Sequence, residues 1–295
     1  MINQIDPTSS SQLKSLLLKY DIKLIKRLGQ NFLIDSSIRD KIAASAKVDS
    51  ETRVLEIGSG LGALTVALAA RSKSVMTVEI DDRLLPALKE VLAPHQNVTI
   101  MHGDFLKFQC SELLDEAFGD ERGVVAANIP YYITTPIIER LLEHRSRIKR
   151  AVLLVQKEVA NRIAAAADTD DYGSLSVFVQ YHANPQIMGT VPPTHFLPRP
   201  EVESAILVLN IPETPNLVVR NEARFFSIVR AGFGQRRKTL LNALMRAPAS
   251  FDLGFTKDDR TSVERMLAAA NIDGGRRGET LTMEEFGRIA DVEDF

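Results

Sequence analysis

Three glycines alternate with other residues in the stretch VLEIGSGLGALT, at residues 54–65. The short apolar run before them suits a strand that a parallel sheet buries on both faces, and the leucines after them recur at helical spacing. Strand, glycine turn and helix together build the nucleotide pocket of a doubly wound sheet, because glycine lets a ligand approach the main chain and the helix start offers unpaired N–H groups. A single glycine would indicate only a tight turn. The three together predict a cofactor loop that includes Gly58 and Gly60.

The identity of the cofactor depends on the acids near this loop. Gly58, Gly60 and Ala63 also satisfy a relaxed dinucleotide pattern, which is weak evidence by itself. Glu56 would face the pyrophosphate of a dinucleotide, whereas a ligand with a sulfonium and an ammonium group favours a carboxylate there. Glu79 ends the next predicted strand about 20 residues after Gly58, where the ribose hydroxyls of either cofactor need an acceptor. We therefore expect S-adenosyl-L-methionine, with Glu79 on its ribose.

A later strand ends in the stretch NIPY at residues 128–131. The exocyclic amine of adenine is a poor nucleophile because its lone pair is delocalised into the ring, so its methylation needs acceptors for the amine protons. The side-chain carbonyl of Asn128 is one acceptor, and the turn at Pro130 aims the main-chain carbonyl of Ile129 at the same nitrogen. Tyr131 would stack on the base. The alternative is a rigid turn with a packed aromatic. We predict that Asn128, Pro130 and Tyr131 form a catalytic site that methylates the N6 amine of adenine. No metal is expected, because the cofactor carries the electrophile.

Composition indicates an ordinary globular protein. The chain has 295 residues, 45% of them apolar and 25% charged, enough for one full α/β domain and a smaller one. Its single cysteine, Cys110, excludes an intrachain disulfide framework. No apolar run reaches the length of a membrane span, and the N-terminus lacks the pattern of a signal peptide. We expect a cytoplasmic protein.

Basic residues are segregated although the formal net charge is −2. Lysines and arginines concentrate at residues 14–27, 145–150 and 220–246. Such clusters on a neutral chain indicate a face that docks a polyanion, the alternative being three ordinary solvated faces. The densest positions are Arg236, Arg237 and Lys238, which we expect to open a helix, to point outward in part and to contact RNA.

Alternating strand and helix patterns predict an α/β fold with a parallel sheet. Strands are expected at 53–57, 74–79, 97–101, 123–127 and 150–155, and helices at 12–20, 37–47, 82–92, 135–144 and 157–167. Asp35 or Ser36 is expected to cap the helix at 37–47. Because parallel strands end at one edge of a sheet, Glu79, Asp104 and Asn128 should converge on the glycine loop.

Residues 172–183 could form a strand or a helix, and the alternation favours a helix before a strand at 186–191. A last strand at 204–211 is predicted to run antiparallel to that strand. The loop at 192–200 is too rich in proline for a sheet interior, so we expect it at the surface.

The same pattern divides the chain into two predicted domains. Residues 1–211 would form a Rossmann-like methyltransferase domain with an N-terminal helical extension at 1–50. Residues 212–295, which begin with a linker at 212–216, would form a small all-helical domain that docks on RNA. Its helices are expected at 222–232, 236–246, 257–270 and 282–290.

Several stretches together resemble the ribosomal RNA adenine-N6 dimethyltransferases, in particular those of the small subunit, over nearly the whole chain. The matching stretches are GQNFL at 29–33, LEIGSGLG at 55–62, Glu79, GD at 103–104, NIPYY at 128–132, the residues Phe196, Pro198, Pro200, Val202, Ser204 and Ala205, FGQRRKTL at 233–240, and RGETL at 277–281. The family pattern often has Ala or Ser where Gly278 stands here.

The resemblance implies a class I S-adenosylmethionine-dependent methyltransferase fold and a role for particular residues. Asn31 and Leu33 would contact the cofactor, Gly58 would belong to its loop, and Asp104 would bind its adenine amine. Glu79 would bind the ribose, and Asn128 would serve cofactor and catalysis. An aromatic at the position of Phe196 would pack on the flipped base.

The resemblance also implies a substrate. Four methyl groups would go onto two adjacent adenosines in the 3′-terminal hairpin loop of small-subunit (16S) rRNA, within a partly assembled subunit, and we expect the enzyme to act as a monomer. Two alternatives stay open. One is a large-subunit adenine dimethyltransferase of the macrolide-resistance type, and the other is an assembly factor whose binding matters more than its methylation.

Overall fold

The structure is a computed structural model that describes residues 5–24, 29–235, 237–248, 250–251, 253 and 259–292. The chain forms two compact units, Met1–Ala160 with Asn184–Glu213, and Asn161–Ala183 with Thr214–Phe295. The predicted boundary at residue 211 places residues 161–183 in the first domain. They lie in the second unit because Tyr172, Val177 and Tyr181 are buried in its core.

The first unit contains a seven-stranded sheet. Its strands, with a separate short pair formed by β1 and β8, are β1 (Phe32–Leu33), β2 (Arg53–Ile57), β3 (Ser74–Glu79), β4 (Val98–His102), β5 (Gly123–Asn128), β6 (Ile148–Gln156), β7 (Asn184–Val191), β8 (Phe196–Leu197) and β9 (Ser204–Asn210). The order in the large sheet is β4-β3-β2-β5-β6-β9-β7. Strands β2 to β6 pair in parallel, and β9 runs antiparallel to both β6 and β7. The predicted α/β sheet and the antiparallel last strand are confirmed.

Strand order reverses between β2 and β5, since β3 and β4 lie on one side and β6 on the other. A doubly wound sheet has its ligand crevice at this reversal, outside the carboxyl ends of the strands. Ile57 ends β2 opposite Ala127, so the glycine loop after β2 and Asn128 at the end of β5 leave the sheet side by side. The topology alone therefore brings two of the predicted motifs together.

Helices cover the sheet and, in the second unit, form the core. They are α1 (Ser10–Lys19), α2 (Ser36–Ser45), α3 (Ala63–Ala69), α4 (Leu85–Leu92), α5 (Cys110–Phe118), α6 (Thr134–Glu143), α7 (Lys157–Ala164), α8 (Ser174–His182), α9 (Glu222–Gly234), α10 (Leu240–Met245), α11 (Arg260–Ala269) and α12 (Met283–Ala290). Asp35 caps α2 as predicted, by accepting hydrogen bonds from the N–H groups of Ser37 and Ile38. The helix predicted within 172–183 is present as α8. No helix among the described residues combines the length and apolar character needed to cross a membrane.

The short pair of β1 and β8 corrects one prediction. The other residues of 192–200 are exposed or half-buried, as expected for a surface loop, but Phe196 pairs with Leu33 and is only 1% exposed. The prolines do not interrupt this pairing because Pro193 and Pro198 flank the two-residue strand. The pair also fixes residues 32–33 within the first unit, at a position where the sequence predicts no strand.

The start of α10 differs from the expected helix at 236–246. Arg237 and Lys238 are exposed in a turn, and the helix begins at Leu240 after Thr239; Arg236 lies outside the described residues. The first N–H groups of a helix need partners from outside it. The N–H of Leu240 donates to the carbonyl of Arg276 at 2.6 Å, and that of Leu241 to the carbonyl of Gly274 at 3.1 Å.

Gly278 is a tight packing position in the second unit. A Cβ atom at this residue would lie 2.4 Å from the main-chain oxygen of Gly232, which cannot rotate away. We expect Gly278→Ala to lower the free energy of unfolding by about 1–3 kcal/mol, because the backbone must shift to admit the methyl group.

The matched control is Gly234→Ala, since a Cβ at that residue meets nothing within 4 Å. Urea denaturation of both variants and the wild type measures the effect. Equal midpoints for Gly278→Ala and Gly234→Ala would show that the contact is not a constraint.

Candidate active site

A cavity opens in the first unit at the carboxyl ends of the central strands. Its walls come from the segment at 29–33, the glycine loop and the ends of β3 and β5. Of the predicted site residues the lining includes Asn31, Leu33, Gly58, Gly60, Glu79, Asn128, Pro130 and Tyr131. Asp104 and Phe196 do not line it.

The glycine loop has a backbone that favours glycine. Gly58, Gly60 and Gly62 have φ angles of +78°, +55° and +83°, a region that residues with a side chain rarely adopt. A Cβ at Gly60 would also lie 3.1 Å from the ring of Phe32. The loop therefore passes close to the 29–33 wall of the cavity.

The Glu79 carboxylate closes the loop onto the end of β3. One oxygen, Oε2, accepts from the N–H of Gly60 at 2.7 Å and from the hydroxyl of Ser59 at 3.4 Å. The other, Oε1, accepts from the N–H of Asp81 at 3.0 Å. Burial raises the pKa of Glu79 above its usual value. Because a carboxylate has about four acceptor positions and three are used here, the fixed Glu79 can still accept a further hydrogen bond from a ligand's hydroxyl group.

Glu56, on β2, is a second buried carboxyl at the cavity. It is 1% exposed, and its Oε2 accepts hydrogen bonds from the hydroxyls of Thr65 at 2.5 Å and Thr77 at 2.8 Å. The pKa of Glu56 is raised to about 7. Burial is the largest cause and the nearby Glu79 adds to it, while the two threonine hydrogen bonds act in the opposite direction. The sequence indicated a carboxylate facing the cofactor here, but not its burial or its threonine partners, which come from two other elements.

Asn128 has one side-chain atom fixed and one available. Its Nδ2 donates to the main-chain carbonyl of Asn31 at 3.0 Å. Because a carbonyl can only accept, this bond sets the orientation of the amide. Oδ1 accepts no hydrogen bond from the described residues, and Asn128 lines the cavity, so Oδ1 is left as an acceptor there. Asn31 is held in turn by its own amide, which donates to the carbonyl of Gly29 at 3.1 Å.

Tyr131 is fixed at its hydroxyl. It begins a 3₁₀ turn, Tyr131–Ile133, directly after Pro130, and its OH lies 2.6 Å from the hydroxyl of the buried Ser204 on β9. Burial raises the pKa of Tyr131. Ser204 belongs to the Phe196 motif, but sequence reasoning gave it no role.

Two predicted site residues lie away from the cavity wall. The Phe196 ring is buried among Leu33, Val191 and Ile206, so in this arrangement it presents no face to a base and instead supports the wall behind Leu33. Asp104 follows β4, and its Oδ1 accepts from the N–H of Leu106 at 3.0 Å.

The predicted basic clusters separate into two kinds. At 145–150, Arg147 pairs with Asp115 and donates to the carbonyl of Gly119, and Arg150 donates to the carbonyl of Ser45 at 3.1 Å. These two arginines hold the first unit together, which weakens the docking interpretation of that cluster. Arg237 and Lys238 are exposed to solvent.

Comparison with known proteins gives consistent matches over most of the chain. The family model described as Ribosomal RNA adenine dimethylase matches residues 22–286. The chain is 48% identical over 280 residues to Ribosomal RNA small subunit methyltransferase A of Bacillus pumilus, covering 95% of this chain and 94% of that protein. It superposes on a dimethyladenosine transferase from Plasmodium falciparum with a TM-score of 0.73 and 29% identity, over 87% of this chain and 95% of that one. For the 23S rRNA methyltransferase ErmE the TM-score is 0.67 and the identity is 30%, over 88% of this chain and 98% of that one.

The buried carboxyl predicts a pH-dependent cost to stability. The pKa of Glu56 is about 7 in the folded chain against 4.5 when exposed, so its stabilising protonated state is lost as the pH rises through 7. At about 1.4 kcal/mol per pKa unit the cost above pH 7 is up to about 3 kcal/mol. Glu56→Gln keeps the shape and the acceptor for both threonines, so we expect it to raise the thermal midpoint of the ligand-free protein clearly at pH 8 and little at pH 5.

Calorimetric melting at the two pH values measures this difference. Glu51→Gln is the matched control, because the Glu51 side chain is 82% exposed and should behave alike at both. An equal gain for Glu56→Gln at pH 5 and pH 8 would contradict the burial of a titrating carboxyl.

Proposed function

This chain belongs to the ribosomal RNA adenine dimethylase family, and from that premise we propose that it dimethylates the N6 amines of two adjacent adenosines in the 3′-terminal hairpin loop of small-subunit rRNA. It is an S-adenosylmethionine-dependent adenine dimethyltransferase with the class I fold. The observation that carries the proposed chemistry is the amide of Asn128, whose orientation is set by the carbonyl of Asn31 and whose Oδ1 is available at the cavity.

The residues of the cavity fit S-adenosylmethionine. The glycine loop brings main chain close to the space where the ligand would lie, and Glu79 is positioned to accept from ribose hydroxyls. Glu56 favours a ligand with positive charge and disfavours a pyrophosphate. Asn31 and Leu33 line the opposite wall. When bound, the cofactor supplies an electrophilic methyl group.

The chain's own residues would prepare the adenine amine. Asn128 Oδ1 and the main-chain carbonyl of Ile129 would accept hydrogen bonds from the two N–H groups of the amine. These bonds would draw the nitrogen lone pair out of conjugation and toward the methyl donor. The tyrosine ring at 131 stacks on the flipped base, and the bond to Ser204 limits its motion. Because Phe196 is buried, we assign base stacking to Tyr131, which lines the cavity.

The small subunit is supported as the substrate over the large one. The Bacillus pumilus relative carries the small-subunit name and shares more identity with this chain than the 23S enzyme does. We propose that the substrate is a partly assembled subunit, late in its assembly. On this proposal the exposed Arg237 and Lys238 of the second unit contact rRNA phosphates, because the residues around Asn128 read an adenine and not a particular hairpin.

Removing the Asn128 side chain tests the chemistry. We expect Asn128→Ala to lower kcat on small subunits by about 100-fold or more while KM for the subunit stays nearly unchanged, because the lost acceptor acts mainly in the transition state. Unmethylated subunits from cells that lack the enzyme provide the substrate, and mapping of N6-methylated adenosines provides the site.

The thermal midpoint of Asn128→Ala, compared with that of the wild type, checks that the variant is folded. Turnover of Asn128→Ala at the wild-type rate would exclude this residue from catalysis. Methyl groups found in 23S rather than 16S rRNA would overturn the proposed substrate while leaving the chemistry intact.

Charge reversal tests the docking residues. We expect Arg237→Glu with Lys238→Glu to weaken subunit binding strongly and to reduce the slope of log affinity against log salt by roughly one per lost phosphate contact. The matched control is Arg71→Glu with Lys89→Glu, which changes the same charge at exposed residues of the first unit.

Binding of subunits at several salt concentrations gives the slope for each variant. A lower melting temperature with an unchanged slope would show that Arg237 and Lys238 stabilise the second unit and do not contact RNA.

A further inference from the structure

The Glu56 carboxyl can bind or release a proton without moving. Both hydrogen bonds from Thr65 and Thr77 end on Oε2, and Oε1 accepts none from the described residues. The side chain lines the cavity although it is 1% exposed. A proton can therefore bind or leave at Oε1 while both threonine bonds stay in place.

The neighbouring strands and α3 contain no positive side chain, and Arg53 on β2 itself lies three residues from Glu56, on the opposite face of the sheet. Its neighbours in the sheet are β3 and β5, with the sequences SVMTVE and GVVAAN, and α3 above it has the sequence ALTVALA. The cavity segment at 29–33, GQNFL, has no charged residue. The one titratable group that faces Glu56 from these elements is Glu79, which is also acidic. Since no cation among the residues that the structure describes faces Glu56, we take a ligand as the source of its counter-charge.

We propose that Glu56 gives up a proton when the methyl donor binds, so that the enzyme's preference for S-adenosylmethionine over the demethylated product rises with pH. This inference rests on the proposed function. The donor carries a sulfonium and an ammonium charge, whereas the product, S-adenosylhomocysteine, keeps only the ammonium. A cation in a cavity of low dielectric stabilises the ionised carboxylate, and two positive charges do so more than one.

The direction of the pH dependence follows from linkage. With the pKa of Glu56 at about 7, most ligand-free molecules are protonated at pH 6. Binding of the donor lowers that pKa and expels the proton, so donor affinity rises as the pH rises toward 7. Product affinity rises less. Each methylation requires the product to leave before a new donor binds, so a weaker hold on the product favours successive transfers.

Isothermal titration calorimetry of the full chain counts the proton. Titrations with S-adenosylmethionine and with S-adenosylhomocysteine at pH 6.0, in two buffers of different ionisation enthalpy, give the protons released per ligand bound. At this pH the ligands' amino groups stay protonated, because α-amino pKa values lie near 8. We expect close to one proton for the donor and less than half of one for the product. Donor affinity should rise about eightfold between pH 5.5 and pH 6.5.

Two variants assign the proton to Glu56. Glu56→Gln should bind the donor without proton release. Thr65→Val keeps the carboxyl but removes a hydrogen bond that stabilises its charged form, so the pH at which donor affinity levels off should move upward. The second variant keeps the assignment testable if the first fails to fold.

The outcomes separate the inference from the proposed function. Donor binding with no proton release, equal release for donor and product, or unchanged release in Glu56→Gln would overturn the inference while the cofactor assignment stands. Absence of binding by either ligand to the folded wild type would overturn the cofactor assignment and the inference with it.

Discussion

The hydrogen bond from the N–H of Gly60 to the Glu79 carboxylate is the contact on which the cavity depends. It closes the loop after one strand onto the end of its neighbour, and this places Gly60 against the ring of Phe32. The segment that contains Phe32 also provides the Asn31 carbonyl that orients Asn128. Glu79, the acid that we propose binds the cofactor, is thus linked through three contacts to Asn128, the proposed acceptor of hydrogen bonds from the amine.

Function at this site opposes stability. Glu56 and Glu79 are both buried, both have a raised pKa, and no positive side chain from the surrounding strands compensates them. A protein selected for stability alone would have an apolar or amide side chain at one of the two positions. The proposed ligand, a polyol at one end and a cation at the other, would give each carboxylate a partner on binding.

Positive charge serves two different purposes in the chain. Arg147 and Arg150 are committed to acidic or carbonyl partners in the first unit, and Arg276 forms a two-armed pair with Glu285 in the second. Arg237 and Lys238 are instead displayed in a turn, because α10 begins only at Leu240. A count of basic residues along the sequence cannot distinguish these groups, since the acceptors lie from 9 residues away, for Arg276, to 105 residues away, for Arg150.

The sequence by itself determined the parallel sheet, the glycine loop and the polar residues at the strand ends, because periodicity and turn chemistry act over a few neighbouring residues. It also indicated helix α8 and the cap at Asp35. Only the tertiary structure decided how Asn128 is oriented, that Phe196 is buried and that Arg150 is structural. Asn128 and its partner Asn31 are 97 residues apart, and Arg150 and Ser45 are 105 apart. Such pairs form because the whole sheet brings them together, and no local pattern of residues records which partner each side chain will meet.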